Sequence, residues 1–326
     1  MSHPFRFGLQ LHDLPLDGAG RDPHAPPAWI ERVHHFEALG YSSVLFPDHF
    51  SDQWDPTAAV AAIGAATREL RVGTLVYDVD YRHPVVHAKA GATIHLLTGG
   101  RHEFGIGAGW MESDYREAGL AYDSPGTRIE RLGEALEIIL GMWTQEKTSF
   151  EGRHYHVRDV ARAAKLPEGE RPRVLIGGGG RRLLSLAGRY ADIVGINPSL
   201  PEGRVTSETA ADLAPERVRQ KVAWVRSAAE AAGRDPDAIE LNTLSFVVAV
   251  TDDPRPLREA LAQNTGMSVE QIADCPLFLT GSATELRERL EKRREETGIS
   301  YVVFQGADLD LVERFAEAVV EPLSGR

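Results

Sequence analysis

Short apolar runs alternate along the chain with longer segments whose apolar residues recur every three or four positions. The runs are "FRFGLQL" (5–11), "SVLFP" (43–47), "RVGTLVY" (71–77), "RHEFGIGAGW" (101–110), "RVLIGGGG" (173–180), "ADIVGI" (191–196), "IELNTLSFVVAV" (239–250) and "SYVVFQ" (300–305). They are rich in Val, Ile and Leu and do not alternate cleanly, as expected of strands in a parallel sheet covered on both faces. The longer segments read as helices. "WIERVHHFEALG" (29–40) sets Trp29, Ile30, Val33, Phe36 and Leu39 on one stripe and closes on Gly40. Residues 126–143 do the same with Ile129, Leu132, Leu136, Ile139, Leu140 and Trp143. Segments 55–70 and 83–100 each carry a proline near their start, where its missing N–H costs nothing.

Eight strands, each followed by helix, predict an α/β fold of the (β/α)8 TIM-barrel type, one domain over residues 1–326. Two stretches leave the rhythm, 144–172 after the fourth strand and its helix, and 197–214 after the sixth strand. Both are expected to be insertions that wall the site.

Composition narrows the function classes. The 326 residues carry a formal net charge of −12, against binding to nucleic acid or an anionic membrane, since phosphate contact needs a basic face. Cys275 is the single cysteine, so no disulfide can form within the chain. The start, "MSHPFRFGLQ", has neither a basic n-region nor an apolar h-region, and no apolar run approaches bilayer-spanning length. The expectation is a cytoplasmic protein.

In a barrel of this kind the chemistry lies at the C-terminal strand ends. The first strand end offers Gln10 and His12, the second Asp48 and His49, the third Val76, Tyr77 and Asp78. The fourth runs into "GIGAGW", ending at Trp110, the sixth into Asn197 and the last into Gln305. The fifth presents Gly177–Gly180 followed by Arg181 and Arg182. Glycines between a strand and a helix, with positive charge beside them, favour an anion or phosphate at the helix start. Asp48 could instead cap the next helix and His49 could be a rim histidine. No metal-ligand cluster, strand-end lysine or G-x-S-x-G elbow is present. The residues suggest a barrel that holds a flat, anionic cofactor and works with one imidazole, the cofactor carrying the redox chemistry.

The pieces "FRFGLQL", "EALGYSSVLFPDHF", "RVGTLVYDVDYRHPVVHAKAGATIHLLTGGRHEFGIGAGW", "SPGTRIERLGEALEIILGMW", "FEGRHY", "RPRVLIGGGGRRLLSLAGRYADIVGINP" and "FLTGSATELRERLEKRREETGISYVVF" occur in an order that resembles the bacterial luciferase-like superfamily of flavin and deazaflavin oxidoreductases. The resemblance is strongest to its actinobacterial branch using coenzyme F420. It implies hydride transfer between bound F420 and a small organic substrate, with an FMN-dependent monooxygenase as the alternative and a non-redox barrel as a second one. It implies His49, with Asp48 beside it, as the proton-handling pair. It also implies a cofactor bed of Gln10, Asp48, His49, Leu75, Val76, Tyr77, Gly107, Ala108, Gly109, Gly178, Gly179, Gly180 and Arg181, with a non-prolyl cis peptide around Leu75–Tyr77. On the substrate side it implies His12, Trp110 and Asn197. Where sugar-phosphate-oxidising relatives carry an acid after the fourth strand, this chain has Trp110, which suits a more apolar substrate. A homodimer and a flavin or deazaflavin reductase partner are further expectations of the resemblance.

Overall fold

A computed structural model describes residues 3–14, 28–199, 207–306 and 308–325. Eight parallel strands form its central sheet: β1 (Arg6–Gln10), β2 (Ser43–Phe46), β3 (Arg71–Thr74), β4 (His102–Gly107), β5 (Arg173–Gly178), β6 (Ile193–Ile196), β7 (Glu240–Ser245) and β8 (Ile299–Gln305). Spatial order follows chain order, β1 lies against β8, and β3 pairs with β4, so the sheet closes on itself. This is the (β/α)8 barrel that the pattern of runs predicts. Among the described residues no helix is long and apolar enough to cross a membrane.

Chain contacts gather into two compact units, one formed by the chain up to Val44 and from Gly178 onward, the other by Leu45–Gly177. In the first, β1 runs in register with β8 from Arg6↔Tyr301 to Gln10↔Gln305. Its core includes Phe5, Phe7, Phe304 and Phe315, all nearly solvent-free. The seventh run departs from expectation. It is not one strand over 239–250, because the N–H groups of Phe246 and Val247 both turn to the Leu277 carbonyl. Beyond that bulge Val247–Val250 leaves the barrel and pairs in parallel with Phe278–Gly281. Of the expected insertion at 197–214, residues 200–206 lie outside the described residues, and Ser207–Ala211 is a short helix.

In the second unit β3 and β4 align at Val72↔His102 and β4 and β5 at Glu103↔Arg173. The expected insertion at 144–172 carries an antiparallel hairpin, Lys147–Glu151 with His156–Ala161. Glu134 anchors it: its carboxylate accepts the backbone N–H groups of Arg153, His154 and Tyr155 at 2.8, 2.9 and 3.0 Å. The turn of the hairpin is thereby fixed to the long helix Pro125–Thr144.

Candidate active site

Strand β2 is buried along its whole length, and Pro47 ends it. The next carboxylate, Asp48, is only 6% exposed. Burial raises its affinity for a proton, and Arg82 opposes that as a fork: Nη1 donates to Oδ2 at 2.6 Å and Nη2 to Oδ1 at 3.1 Å. The Asp78 N–H also donates to Oδ2, at 3.1 Å. Both oxygens of Asp48 are therefore engaged within the protein. Arg82 reaches further to Asp55 (3.1 Å), the residue that caps helix Pro56–Ala66 through the Ala58 N–H.

His49 has a different partner. Its acid is not Asp48 but Asp114, from helix Glu112–Ala118. His49 Nδ1 donates to Asp114 Oδ2 at 2.7 Å, and the Tyr81 hydroxyl donates to the same oxygen at 3.2 Å. Asp114 is buried and His49 half-buried. A carboxylate at Nδ1 selects the tautomer with its proton there and leaves Nε2 as the nitrogen free to exchange a proton. The imidazole meets Trp110 edge to face, with ring centres 5.8 Å apart, and Trp110 is 45% exposed.

After β3 the Leu75 N–H bonds back to the Phe46 carbonyl, and the Leu75–Val76 peptide is cis, within the segment where the resemblance implies one. The chain then resumes beside β4, Tyr77 opposite Ile106 and Asp78 opposite Gly107. A Cβ on Gly107 would stand 2.8 Å from the Val76 Cγ2 methyl, so the missing side chain makes room for Val76. Gly109 has φ +71°, and a side chain there would run into the Tyr115 hydroxyl and the Asp78 carboxylate. Arg128 secures this loop from helix Pro125–Thr144. Its Nε donates to the Ala108 carbonyl (3.1 Å), its Nη2 to that of Gly109 (3.4 Å), and its guanidinium lies 4.0 Å over the Tyr122 ring. Tyr122 in turn donates to the Trp110 carbonyl at 2.9 Å.

Behind the loop lies an acidic pocket. Tyr115 Oη is 2.9 and 2.8 Å from the two Asp78 oxygens and 3.0 Å from Asp80 Oδ2. One hydroxyl has one hydrogen, so these contacts lack protons unless a carboxyl supplies one. Asp80 is neutralised by a forked pair with Arg131, at 2.7 and 2.8 Å. Burial pushes Asp78 up to about 6, making it the carboxyl that carries the extra proton in mild acid.

The remaining expected site residues belong to the unit containing β1 and β6. Gln10 is buried at the end of β1, with Gln305 Nε2 3.5 Å from its side-chain oxygen, and His12 is exposed. Gly178 ends β5, and Gly180 begins helix Arg181–Tyr190 with no side chain capping its N–H groups; Arg181 is exposed. Gly179 packs against the Pro198–Ser199 backbone too closely to admit a side chain. Asn197 donates its N–H to the Gly178 carbonyl (3.0 Å), and its own carbonyl accepts from Lys221 Nζ (2.8 Å). Lys221 is fully buried and paired with Asp212 at 2.6 Å. Within Leu45–Gly177, then, Asp48, His49, Leu75–Tyr77 and Gly107–Trp110 converge. Arg82, Asp114, Tyr115, Arg128 and Arg131 join them without having been expected. For Arg82, Asp114 and Tyr115 the signal was the density of ionisable residues in "DVDYRH" and "ESDYRE", each just past a strand end; Arg128 and Arg131, on the following helix, had no such signal.

A barrel with an acid–histidine site after its second strand and glycine loops after its fourth and fifth defines a class, and comparison supplies the family. Residues 6–308 match the model of the luciferase-like monooxygenase family, and the chain belongs to that family. It is 28% identical over 341 aligned positions to an F420-dependent glucose-6-phosphate dehydrogenase of Gordonia bronchialis, covering 94% of this chain and 95% of that one. It is 34% identical over 203 positions to a phthiodiolone/phenolphthiodiolone dimycocerosates ketoreductase of a Mycobacterium species. That match covers 62% of this chain and only about half of the relative, 49%. In fold it is similar to the coenzyme F420-dependent tetrahydromethanopterin reductase of Methanopyrus kandleri, with TM-score 0.74 and 18% identity over 98% of this chain and 100% of that one.

The Asp78 carboxyl makes a test of the acidic pocket. Its folded pKa lies above the unfolded value, so the stability it confers is present below pH ~4 and is lost as pH rises through about 6. Asp78→Asn removes that titration. Urea unfolding at pH 4.5, 5.5 and 7 should find the variant gaining on the parent as pH rises; a difference independent of pH would contradict the protonated Asp78.

Proposed function

We propose that this protein is an F420-dependent oxidoreductase that transfers a hydride between the bound deazaflavin and a small, largely apolar organic molecule. The observation that carries the reading is the His49–Asp114 pair, an imidazole held by a buried carboxylate with its second nitrogen free, beside a glycine loop. The family assignment and the F420-dependent relative aligned over nearly its full length support the cofactor.

The residues present suit such a group. Gly107 leaves room for the Val76 side chain, and Gly109, at φ +71°, admits no side chain beside Asp78 and Tyr115, so the loop after β4 stays free of bulk where a ring would lie. The helix opening at Gly180 leaves its first N–H groups uncapped, suited to a phosphate. In its own unit each set fits one part of such a group: Gly178–Gly180 and Arg181 would hold a phosphate, and Leu75–Tyr77 with Gly107–Gly109 would bed a ring. When bound, the deazaflavin supplies the hydride donor or acceptor carbon. The protein's share is orientation and one proton: Asp114 keeps the His49 ring in position with Nδ1 protonated, and Nε2 gives or takes the proton at the substrate oxygen. Asp48, both oxygens occupied, acts by fixing Arg82 and the start of Tyr77–Asp78. Trp110, Phe50 and Tyr122 leave aromatic surface exposed around His49 and its loop. That surface favours an apolar partner over a sugar phosphate, which would need cations in their place.

Titrating the apoprotein with F420 and with FMN tests the cofactor. We expect F420 to bind the more tightly; micromolar FMN binding without F420 binding would contradict the proposal and favour a flavin monooxygenase. With F420 bound, His49→Ala should lower turnover by roughly 10²–10⁴-fold while cofactor affinity changes little. Turnover near the parent's would remove His49 from the chemistry.

The homodimer also belongs to this reading. Val86, Leu96 and Leu97 are 52, 43 and 62% exposed on helix Pro84–Leu97, and Ala58, Ala62 and Ala65 are exposed on helix Pro56–Ala66. These two helices offer small and apolar residues where a solvated surface carries charge, which fits a second copy of the chain. Sedimentation should report a dimer for the parent and a monomer for Val86→Glu/Leu97→Glu. A monomeric parent would overturn the assignment.

A further inference from the structure

Helix Ala283–Thr297 carries Arg289 and Arg293, four residues apart and so on one face. Arg289 Nη2 and Arg293 Nη1 are closed off from solvent, and neither has a hydrogen-bond partner. Such groups are rare because a desolvated guanidinium N–H with nothing to bond is costly. The surroundings explain why no neighbour serves. Arg289 Nη1 donates to the Thr280 carbonyl at 3.1 Å, and Arg258, from helix Arg255–Thr265, donates to that same carbonyl and to Thr280 Oγ1 at 3.1 Å. The Glu285 carboxylate is committed to Arg258 at 2.6 Å and stands 3.9 Å from Arg289. Asp274 lies near both arginines but is exposed.

The other neighbour is Cys275, buried beside Arg289 and Arg293. Burial pushes its thiol up, so it is uncharged at neutral pH and offers no counter-charge. Burial lowers Arg293 to about 10, which still leaves it a cation at neutral pH. Two cations thus present unused N–H groups from one helix face, with the nearest available carboxylate spent on a third.

We propose that Arg289 and Arg293 form a binding site for a phosphate group. The two terminal nitrogens carry up to four N–H donors, matching the oxygens of a tetrahedral oxyanion. Arg258, which shares the Thr280 carbonyl with Arg289, also lines a neighbouring cavity of about 350 Å3 together with Arg255, Glu259, Val269 and Glu270; Arg289 and Arg293 do not line it. Glu259 and Glu270 disfavour an anion in the cavity itself, so the seat is the Arg289–Arg293 face. These residues are separate from the Gly178–Arg181 helix start assigned above to the cofactor. The site stands whether or not the proposed redox activity does.

Calorimetric titration of the full-length protein with inorganic phosphate, at ionic strength held constant with chloride, tests the site. The parent should bind one phosphate per chain more than Arg293→Met does, and the same difference should appear with Arg289→Met. Folding is controlled by a second readout. Without phosphate, Arg293→Met should melt at or above the parent temperature, because it removes a guanidinium N–H group that is closed off from solvent and has no partner. With saturating phosphate the parent should gain the larger increase in Tm. Equal stoichiometry in parent and both variants, or an Arg293→Met chain that melts well below the parent without phosphate, would overturn the proposal.

Discussion

Four carboxylates, those of Asp48, Asp78, Asp80 and Asp114, are packed with little solvent around the ends of β2, β3 and β4, and each needs something to offset its charge. The unit Leu45–Gly177 provides a different counterpart for each. Arg82 forks onto Asp48, Arg131 onto Asp80, His49 pairs with Asp114, and Asp78 holds a proton more tightly than an exposed carboxyl would. Everything else about the site depends on this balance. A buried carboxylate left without its partner is among the most destabilising single defects a protein can carry.

The balance also sets geometry. Arg82 and Tyr81 are neighbours in the loop that follows Tyr77–Asp78, and they serve different acids: Arg82 holds Asp48, and the Tyr81 hydroxyl bonds Asp114. The loop that fixes the end of β2 therefore also helps aim the carboxylate that orients His49. Arg128 and Arg131, one turn apart on helix Pro125–Thr144, extend the arrangement. The first grips the Ala108 and Gly109 carbonyls, and the second grips Asp80. A hydride-transfer enzyme asks its protein chiefly for such positioning, because the cofactor brings the reactive carbon.

The barrel was legible in the sequence because strands covered on both faces leave unbroken Val, Ile and Leu runs, and the helices between them keep a 3.6-residue period. The seventh run misled because Ser245 and Val247 belong to two sheets, and the bulge at Phe246 leaves no mark in hydrophobicity. His49 was legible as a titratable group just past a strand end. Its partner was not: Asp114 is 65 residues away, and Asp48 next door, the nearer candidate, has its oxygens taken by Arg82 and the Asp78 N–H. Arg128 and Arg131 were hidden for another reason. Helix 126–143 is legible by its apolar stripe, and periodicity says nothing about which polar residues face a site. Lys221 was invisible in the same way, a cation in an amphipathic helix that is in fact buried against Asp212 and the Asn197 carbonyl.

The central claim is that Asp114 holds His49 with its proton on Nδ1, leaving Nε2 for chemistry. The most direct measurement is the two-bond 1H–15N correlation spectrum of the His49 ring at neutral pH, recorded for the parent and for Asp114→Asn. The account predicts the Nδ1-protonated pattern in the neutral ring of the parent and a changed pattern in the variant. A neutral ring carrying its proton on Nε2, or a spectrum that Asp114→Asn leaves untouched, would contradict it.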